Sequence, residues 1–252
     1  MVSDKIRVGC CGFRVSKKKY FQHFSLVEVQ ETFYDLPNLT KMEKWRRESP
    51  SEFEYTLKAW QVITHTKSSP TWKRIKTSLE GSLENYGFLK PTVENFKAWV
   101  KVLEIAEALK ASTIVLQLPP RLELNESTYE AMSKFFSEID RSGHFIAVEP
   151  RNKTWDENRG LMAKLFEKFN LIHCVDIFKR KPLDTGEAYY IRLHGLNGEL
   201  NYKYKYTDED LLRLKNMVLN LYDKGKRIYV LFNNVYMFED ALRFKKMLNE
   251  LK

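Results

Sequence analysis

Eight short runs rich in β-branched and aromatic residues recur along the chain, and segments with helical spacing separate most of them. The runs are "KIRVGC", "LVEVQ", "FEYTLKAW", "STIVLQL", "FIAVEP", "LIHCVDI", "AYYIRLHG" and "RIYVLFN". Strands joined by helices pair in parallel, because the crossover returns the chain to the same end of the sheet. Eight such units predict a TIM-type (β/α)8 barrel, and 252 residues is a length at which that barrel forms one domain. The expectation is a single α/β barrel domain over residues 1–252.

The helix signals follow the same order. Thr40 is placed to cap "KMEKWRRE", Thr92 opens "VENFKAWVKVLEIAEALK", Asn125 opens "ESTYEAMSKFFSEIDR" and Thr154 opens "WDENRGLMAKLFEKF". Thr207 and Asp210 stand at capping-box spacing, Gly225 is placed to end that helix, and "FEDALRFKKMLNELK" closes the chain as the last one. Two crossovers are short: "FRVSKKKYFQHFS" after strand one has room for about two helical turns, and "DIFKRKPLDTGEA" after strand six is turn-rich. By contrast "HTKSSPTWKRIKTSLEGSLENYGFLKP", residues 65–91, is longer than a barrel loop needs, as lids and binding elements often are.

In such a barrel alternate residues point inward and the C-terminal strand ends build the site. Val27 and Val29 facing the helices turns Glu28 and Gln30 inward; the same alternation turns in Lys58, Gln117, Glu149 with Arg151, Asp176, Arg192 with His194, and Asn233. Apolar side chains would fill an interior at lower cost, since each ion taken from water carries a penalty of several kcal/mol unless it is paired. Three acids (Glu28, Glu149, Asp176) meet three bases (Lys58, Arg151, Arg192). That balance fits an internal ion-pair network. It equally fits an active site in which Glu28, Glu149, Asp176 and His194 act as acid, base or metal ligands, Lys58, Arg151 and Arg192 hold an anion, and Gln117 and Asn233 orient it.

Seven blocks, "GCCGF", "VEVQETFYDLP", "KAWQVITH", "VLQLPP", "VEPR", "IRLHG" and "LFNN", in this order and spacing, resemble the signature of the domain of unknown function 72 family over nearly the whole chain. The resemblance implies a TIM-type barrel without an established activity, one for which structural comparison has pointed to nucleic-acid binding and to barrels of the apurinic endonuclease type. It carries the family's motif positions onto Glu28, Thr32, Phe33, Tyr34, Lys58, Thr64, His65, Gln117, Glu149, Arg151, Arg192, His194, Gly195, Asn233 and Asn234, and so adds Tyr34 and His65 to the substrate-binding set. Gln30 stands where many relatives have asparagine, and Cys10 and Cys11 where they have small hydroxyl residues, so a ligand touching those positions would differ.

The chemistry has three routes. A divalent ion could use Glu28, Glu149, Asp176 and His194, but five histidines without an HxH or HxxxH pair are few for a multinuclear zinc site. Acid/base catalysis without metal needs only the carboxylates and His194. Nucleophilic catalysis by Cys10 or Cys11 lacks a local partner. No other cofactor is implied.

Forty-two basic against 33 acidic residues give a formal charge of +9, which favours an anionic partner such as DNA or RNA, although a basic solvated surface would look the same. The loop after strand seven, "GLNGELNYKYKYT", puts Lys203 and Lys205 among Tyr202, Tyr204 and Tyr206, suited to phosphates and to bases or sugars respectively. Further basic clusters follow other strands: Lys17, Lys18 and Lys19; Lys73, Arg74 and Lys76 beside Trp72; and Lys179, Arg180 and Lys181. The expected function is a hydrolase or nuclease-like enzyme acting on a phosphate-bearing substrate. The rivals are a non-catalytic nucleic-acid-binding protein, and a small-molecule enzyme that needs no basic rim. Three cysteines form no paired framework, the start "MVSDKIRVGC" lacks a signal-peptide core, and no apolar run approaches ~20 residues, so a cytoplasmic protein with no membrane partner is expected.

Overall fold

The computed structural model describes residues 5–222 and 224–250. Eight strands, β1(Ile6–Cys10), β2(Leu26–Val29), β3(Glu54–Lys58), β4(Thr113–Gln117), β5(Phe145–Glu149), β6(Ile172–Val175), β7(Ala188–Leu193) and β8(Arg227–Phe232), follow one another around a closed barrel in sequence order. The pairs run parallel, and β8 closes onto β1 with Ile6 opposite Ile228 and Cys10 opposite Phe232. The TIM-type barrel expected from the strand–helix alternation is the fold observed.

Ten helices accompany the strands among the described residues: α1(Lys17–His23), α2(Glu31–Tyr34), α3(Leu39–Glu48), α4(Gln61–Thr64), α5(Val93–Leu109), α6(Glu126–Glu138), α7(Thr154–Glu157), α8(Arg159–Lys168), α9(Asp208–Tyr222) and α10(Met237–Asn249). Thr92 and Asn125 accept the N–H of Asn95 and Thr128, as their positions predict. Thr207 and Asp210 form the reciprocal capping box, each side chain accepting the other residue's N–H.

Two caps differ from expectation. Helix α3 starts one residue before Thr40, and Asn38 accepts the Thr40 N–H at 2.8 Å, so Asn38 holds that end. Thr154 is helical rather than capping: its hydroxyl accepts from Leu124 N and donates to Asn152, and the helix breaks at Asn158 before α8 resumes. A side chain with two tertiary partners is not available to the local backbone.

The chain divides into two compact units. One takes in the chain through Glu28, Ser49–Glu54 and everything from Ile172 onward; the other comprises Val29–Glu48 and Tyr55–Leu171. The first packs Tyr20, Phe24, Phe53 and Phe238 edge-to-face and tilted against one another. The Tyr20 phenol also ties β1 to β2, accepting from Cys10 N and donating to Leu26 O, both at 2.8 Å. In the second, Trp99, Phe135, Phe136 and Phe169 form the corresponding aromatic cluster. Both crossovers read as short are short: α1 has seven residues, and no helix stands between β6 and β7.

Candidate functional site

In the first unit, β2, β6 and β7 bring together two linked sets of polar side chains. Arg192 on β7 pairs with Glu28 on β2 at 3.0 Å, and Tyr190, two residues earlier on the same face of the strand, donates to the other Glu28 oxygen at 2.8 Å. Glu28 is wholly buried and Arg192 is 1% exposed, so each is the other's chief electrostatic support. At the same level of the ladder Tyr229 pairs with Tyr190, their rings 5.4 Å apart, and its phenol donates to Glu54, which Arg7 and Arg227 flank.

Just past the strand ends, Asp176 follows β6 and His194 follows β7. Asp176 Oδ2 accepts the His194 backbone N–H at 3.0 Å, lies 3.7 Å from His194 Nδ1, and pairs with Lys179 Nζ at 3.1 Å. Burial alone would raise the Asp176 pKa, but its contacts with His194 and the Lys179 charge outweigh it and hold the carboxyl below its ordinary value. The His194 carbonyl accepts from Asn201 N, and the Gly195 N–H donates to the buried Tyr206 phenol at 2.8 Å, so the backbone on both sides of the imidazole is fixed. Gly195 has φ +85°, and a Cβ there would stand 2.1 Å from the Asn201 carbonyl oxygen, so this position requires glycine.

The loop after β7 corrects part of the sequence reading. Tyr206 is buried against Phe178 and Phe232, and Tyr204 donates to Asp210 at 2.7 Å, a bond that leads burial in pushing its phenol up to about 12. Neither ring is presented to a partner as the alternation of lysine and tyrosine suggested. Tyr202 is the exposed one, 6.0 Å from the His194 ring and edge-on to it, and Lys203 and Lys205 are exposed beside it. Asn233, just past β8, donates its N–H to the Leu193 carbonyl, which sets it beside His194. Lys179 and Arg180 are engaged by acids, Asp176 and Glu199 respectively.

The second unit holds the other predicted residues. Lys58 on β3 donates to Gln117 on β4 at 3.0 Å and stands 3.7 Å above the Phe33 ring. Gln117 is in register with Glu149 on β5, whose carboxylate takes Arg151 at 2.8 Å. His65 is 7% exposed, with Nδ1 2.8 Å from the Thr64 hydroxyl and its ring edge-on to Phe33. Burial first, and the Lys58 charge second, lower its pKa to about 4. His65 is therefore neutral near pH 7 and cannot hold an anion by charge.

Residues 65–91 are pinned down along much of their length, unlike a lid. Gln61 Nε2 donates to the carbonyls of Tyr34 and Thr71, Trp72 Nε1 donates to the His65 carbonyl, and Arg74 stacks 3.4 Å from the Tyr34 ring centre. Tyr34 thus belongs to the scaffold of this loop, with Lys73, Arg74 and Lys76 exposed along it.

Two of the chemical routes narrow. Cys10 and Cys11 are buried, and burial pushes the Cys10 thiol up to about 12 and Cys11 well above its ordinary value, the reverse of an activated nucleophile. Among the described residues no three His, Cys, Asp or Glu side chains gather closely enough to hold a metal ion. The carboxylates are turned toward Arg192, Arg151 and Lys179 instead. Sequence reasoning missed Tyr190, which the same alternation places on the inward face with Arg192, and Lys179, which it counted only as part of a basic run.

No described helix is long and apolar enough to cross a membrane. Among known proteins, the chain is 23% identical to UPF0759 protein YunF of Bacillus subtilis strain 168, over 94% of this chain and 87% of that one. A DUF72 family protein of Enterococcus faecalis V583 superimposes with a TM-score of 0.71 at 20% identity, covering 97% of both chains. Endonuclease IV from Thermus thermophilus superimposes with a TM-score of 0.57 at 14% identity, over 97% of this chain and 99% of that one, a likeness of fold. A family model described as "Protein of unknown function DUF72" matches residues 16–252, and with the barrel these blocks were expected to build, the chain belongs to that family.

Proposed function

We propose that this protein is a hydrolase acting on a phosphate-bearing substrate, a nucleic acid or nucleotide derivative, with Asp176 and His194 as its acid/base pair. The observation that carries the reading is the single Asp176 oxygen that fixes the His194 backbone and faces its Nδ1. An ionised carboxylate in that position favours the proton on Nδ1 and makes Nε2 the basic nitrogen of the ring. Hydrogen bonds of this kind tighten when substrate binds, and the 3.7 Å separation needs to close by less than an ångström. Lys203 and Lys205, exposed on the loop after β7, supply the positive field for a phosphate. In the other unit, Lys58 held by Gln117, and Arg151 on Glu149, are the cations proposed to hold an anion, with Gln117 to orient it. Glu28 and Arg192 support the site from beneath, sealed from solvent.

The test is a hydrolysis screen of oligonucleotides, nucleotides and sugar phosphates, with and without added divalent ions, using wild type, His194→Ala and Glu149→Gln. Product formation that vanishes in His194→Ala supports the reading; equal turnover in that variant removes His194 from the mechanism. A second reading, a nucleic-acid-binding protein without catalysis, draws on the buried Glu28–Arg192 and Glu149–Arg151 pairs, in which each carboxylate already meets a guanidinium. Binding that weakens steeply with salt, with no product under any condition, favours that alternative.

A further inference from the structure

Four of the large apolar side chains left exposed among the described residues lie on the loops after β7 and β8: Leu200 (47% exposed), Tyr202 (45%), Val235 (53%) and Tyr236 (39%). The two loops are joined here, because Val235 N donates to the Tyr202 carbonyl at 2.7 Å. Lys205 Nζ stands 5.4 Å from the Tyr236 ring centre, and Lys203 is exposed next to Tyr202. Tyr202 in turn packs against the His194 ring. The outcome is an aromatic and aliphatic ledge edged by two lysines at the candidate acid/base pair. Exposed apolar side chains grouped in this way mark interaction sites, while two other tyrosines of the same stretch, Tyr204 and Tyr206, are drawn toward the fold.

We propose that this ledge binds unpaired nucleotides and selects single-stranded over duplex nucleic acid, an inference that rests on the phosphate-bearing reading of the Asp176–His194 site. A base offers its π-face to Tyr202 or Tyr236 only when it is out of the duplex stack; in a duplex both faces are covered by neighbouring base pairs. The backbone that follows such a base carries a negative charge per nucleotide, and Lys203 and Lys205 stand within the same short stretch as Tyr202 to meet it. A duplex could use the lysines but not the rings. The Asn233 side-chain amide, half-buried and without a hydrogen-bond partner among the described residues, lies on the chain between β8 and the ledge, where it can meet a base edge.

The experiment is fluorescence anisotropy of the full chain at one fixed salt concentration, with a short labelled single strand, the same sequence as a duplex, and inorganic polyphosphate as competitor. The single strand should bind about tenfold or more tighter than the duplex, and Tyr202→Ala and Tyr236→Ala should each weaken it by about fivefold or more. Competition by polyphosphate should be unchanged in those two variants, Tyr202→Phe should bind like wild type, and Lys203→Gln with Lys205→Gln should weaken all three ligands. Circular dichroism confirms that the variants are folded. Duplex binding equal to or tighter than single-strand binding, or tyrosine variants that bind like wild type, overturns the ledge while leaving hydrolysis through His194 intact. No binding of either oligonucleotide overturns the ledge together with the nucleic-acid part of the proposed function.

Discussion

Asp176 Oδ2 accepts the backbone N–H of His194 at 3.0 Å and lies 3.7 Å from Nδ1 of the same residue, so one carboxylate oxygen anchors the backbone of His194 and stands beside its ring. The two residues come from the ends of β6 and β7, adjacent strands whose register is set by Cys174 opposite Tyr190. In Asp176→Asn the neutral amide can still accept the backbone N–H, but it no longer stabilises an imidazolium. In the proposed hydrolysis, turnover should fall by about a hundredfold or more, the range of general acid/base contributions. Steady-state kinetics across pH checks this, and a thermal melt within a few degrees of wild type shows that the loss is chemical rather than structural.

His65 gives the fold an acid limit. Its pKa is lowered from 6.5 to about 4, so between those values the unfolded chain binds a proton that the folded protein refuses. The stability from keeping His65 neutral is therefore complete above pH 6.5 and lost as pH falls toward 4. At pH 5 the loss from this residue is roughly 2 kcal/mol. Urea denaturation at pH 7.5 and pH 5 should show wild type losing that much more than His65→Phe, which keeps the ring against Phe33 but does not titrate. Equal losses in the two proteins would show that His65 does not set the limit.

The buried Glu28–Arg192 pair should be costly to break and cheap to replace. Arg192→Met takes the guanidinium away from Glu28 while the Tyr190 phenol still donates to it, and should destabilise by about 3–5 kcal/mol; Tyr190→Phe should cost about 2 kcal/mol. Glu28→Gln with Arg192→Met together should cost less than the sum of the single changes. Chemical denaturation in a double-mutant cycle measures this coupling, and strict additivity would show that the two residues do not support one another.

Gly195→Ala should displace the loop that covers His194. The added Cβ meets the Asn201 carbonyl at 2.1 Å in a backbone conformation with φ +85°, and overpacking together with left-handed strain comes to about 3 kcal/mol or more. A melting temperature lowered by several degrees, with altered NMR signals of the His194 ring, is the expected result. A variant as stable as wild type would mean that residues 196–206 adapt freely around this turn.

Much of this protein is legible along the chain because the signals are local. The alternation that puts Glu28, Lys58, Glu149 and Arg192 on buried faces spans only neighbouring residues, and so do the capping box at Thr207 and Asp210 and the brevity of the crossovers after β1 and β6. The same alternation held Tyr190, yet nothing local says that a tyrosine in a strand will donate to a glutamate 162 residues away. Thr40 and Thr154 had the chemistry of caps and not the position, since Asn38 is one residue better placed and Thr154 is taken by Leu124 and Asn152.

By itself the sequence determined the barrel, the order of its strands and the burial of Glu28, Lys58, Glu149 and Arg192, because periodicity and crossover length act over a few residues at a time. Tertiary structure alone decided which acid meets which base, that Tyr202 rather than Tyr204 or Tyr206 is left exposed, and that His65 is neutral. Those outcomes depend on distances between strands and loops remote in the chain, and a side chain's protonation and exposure are set by whatever folding brings against it.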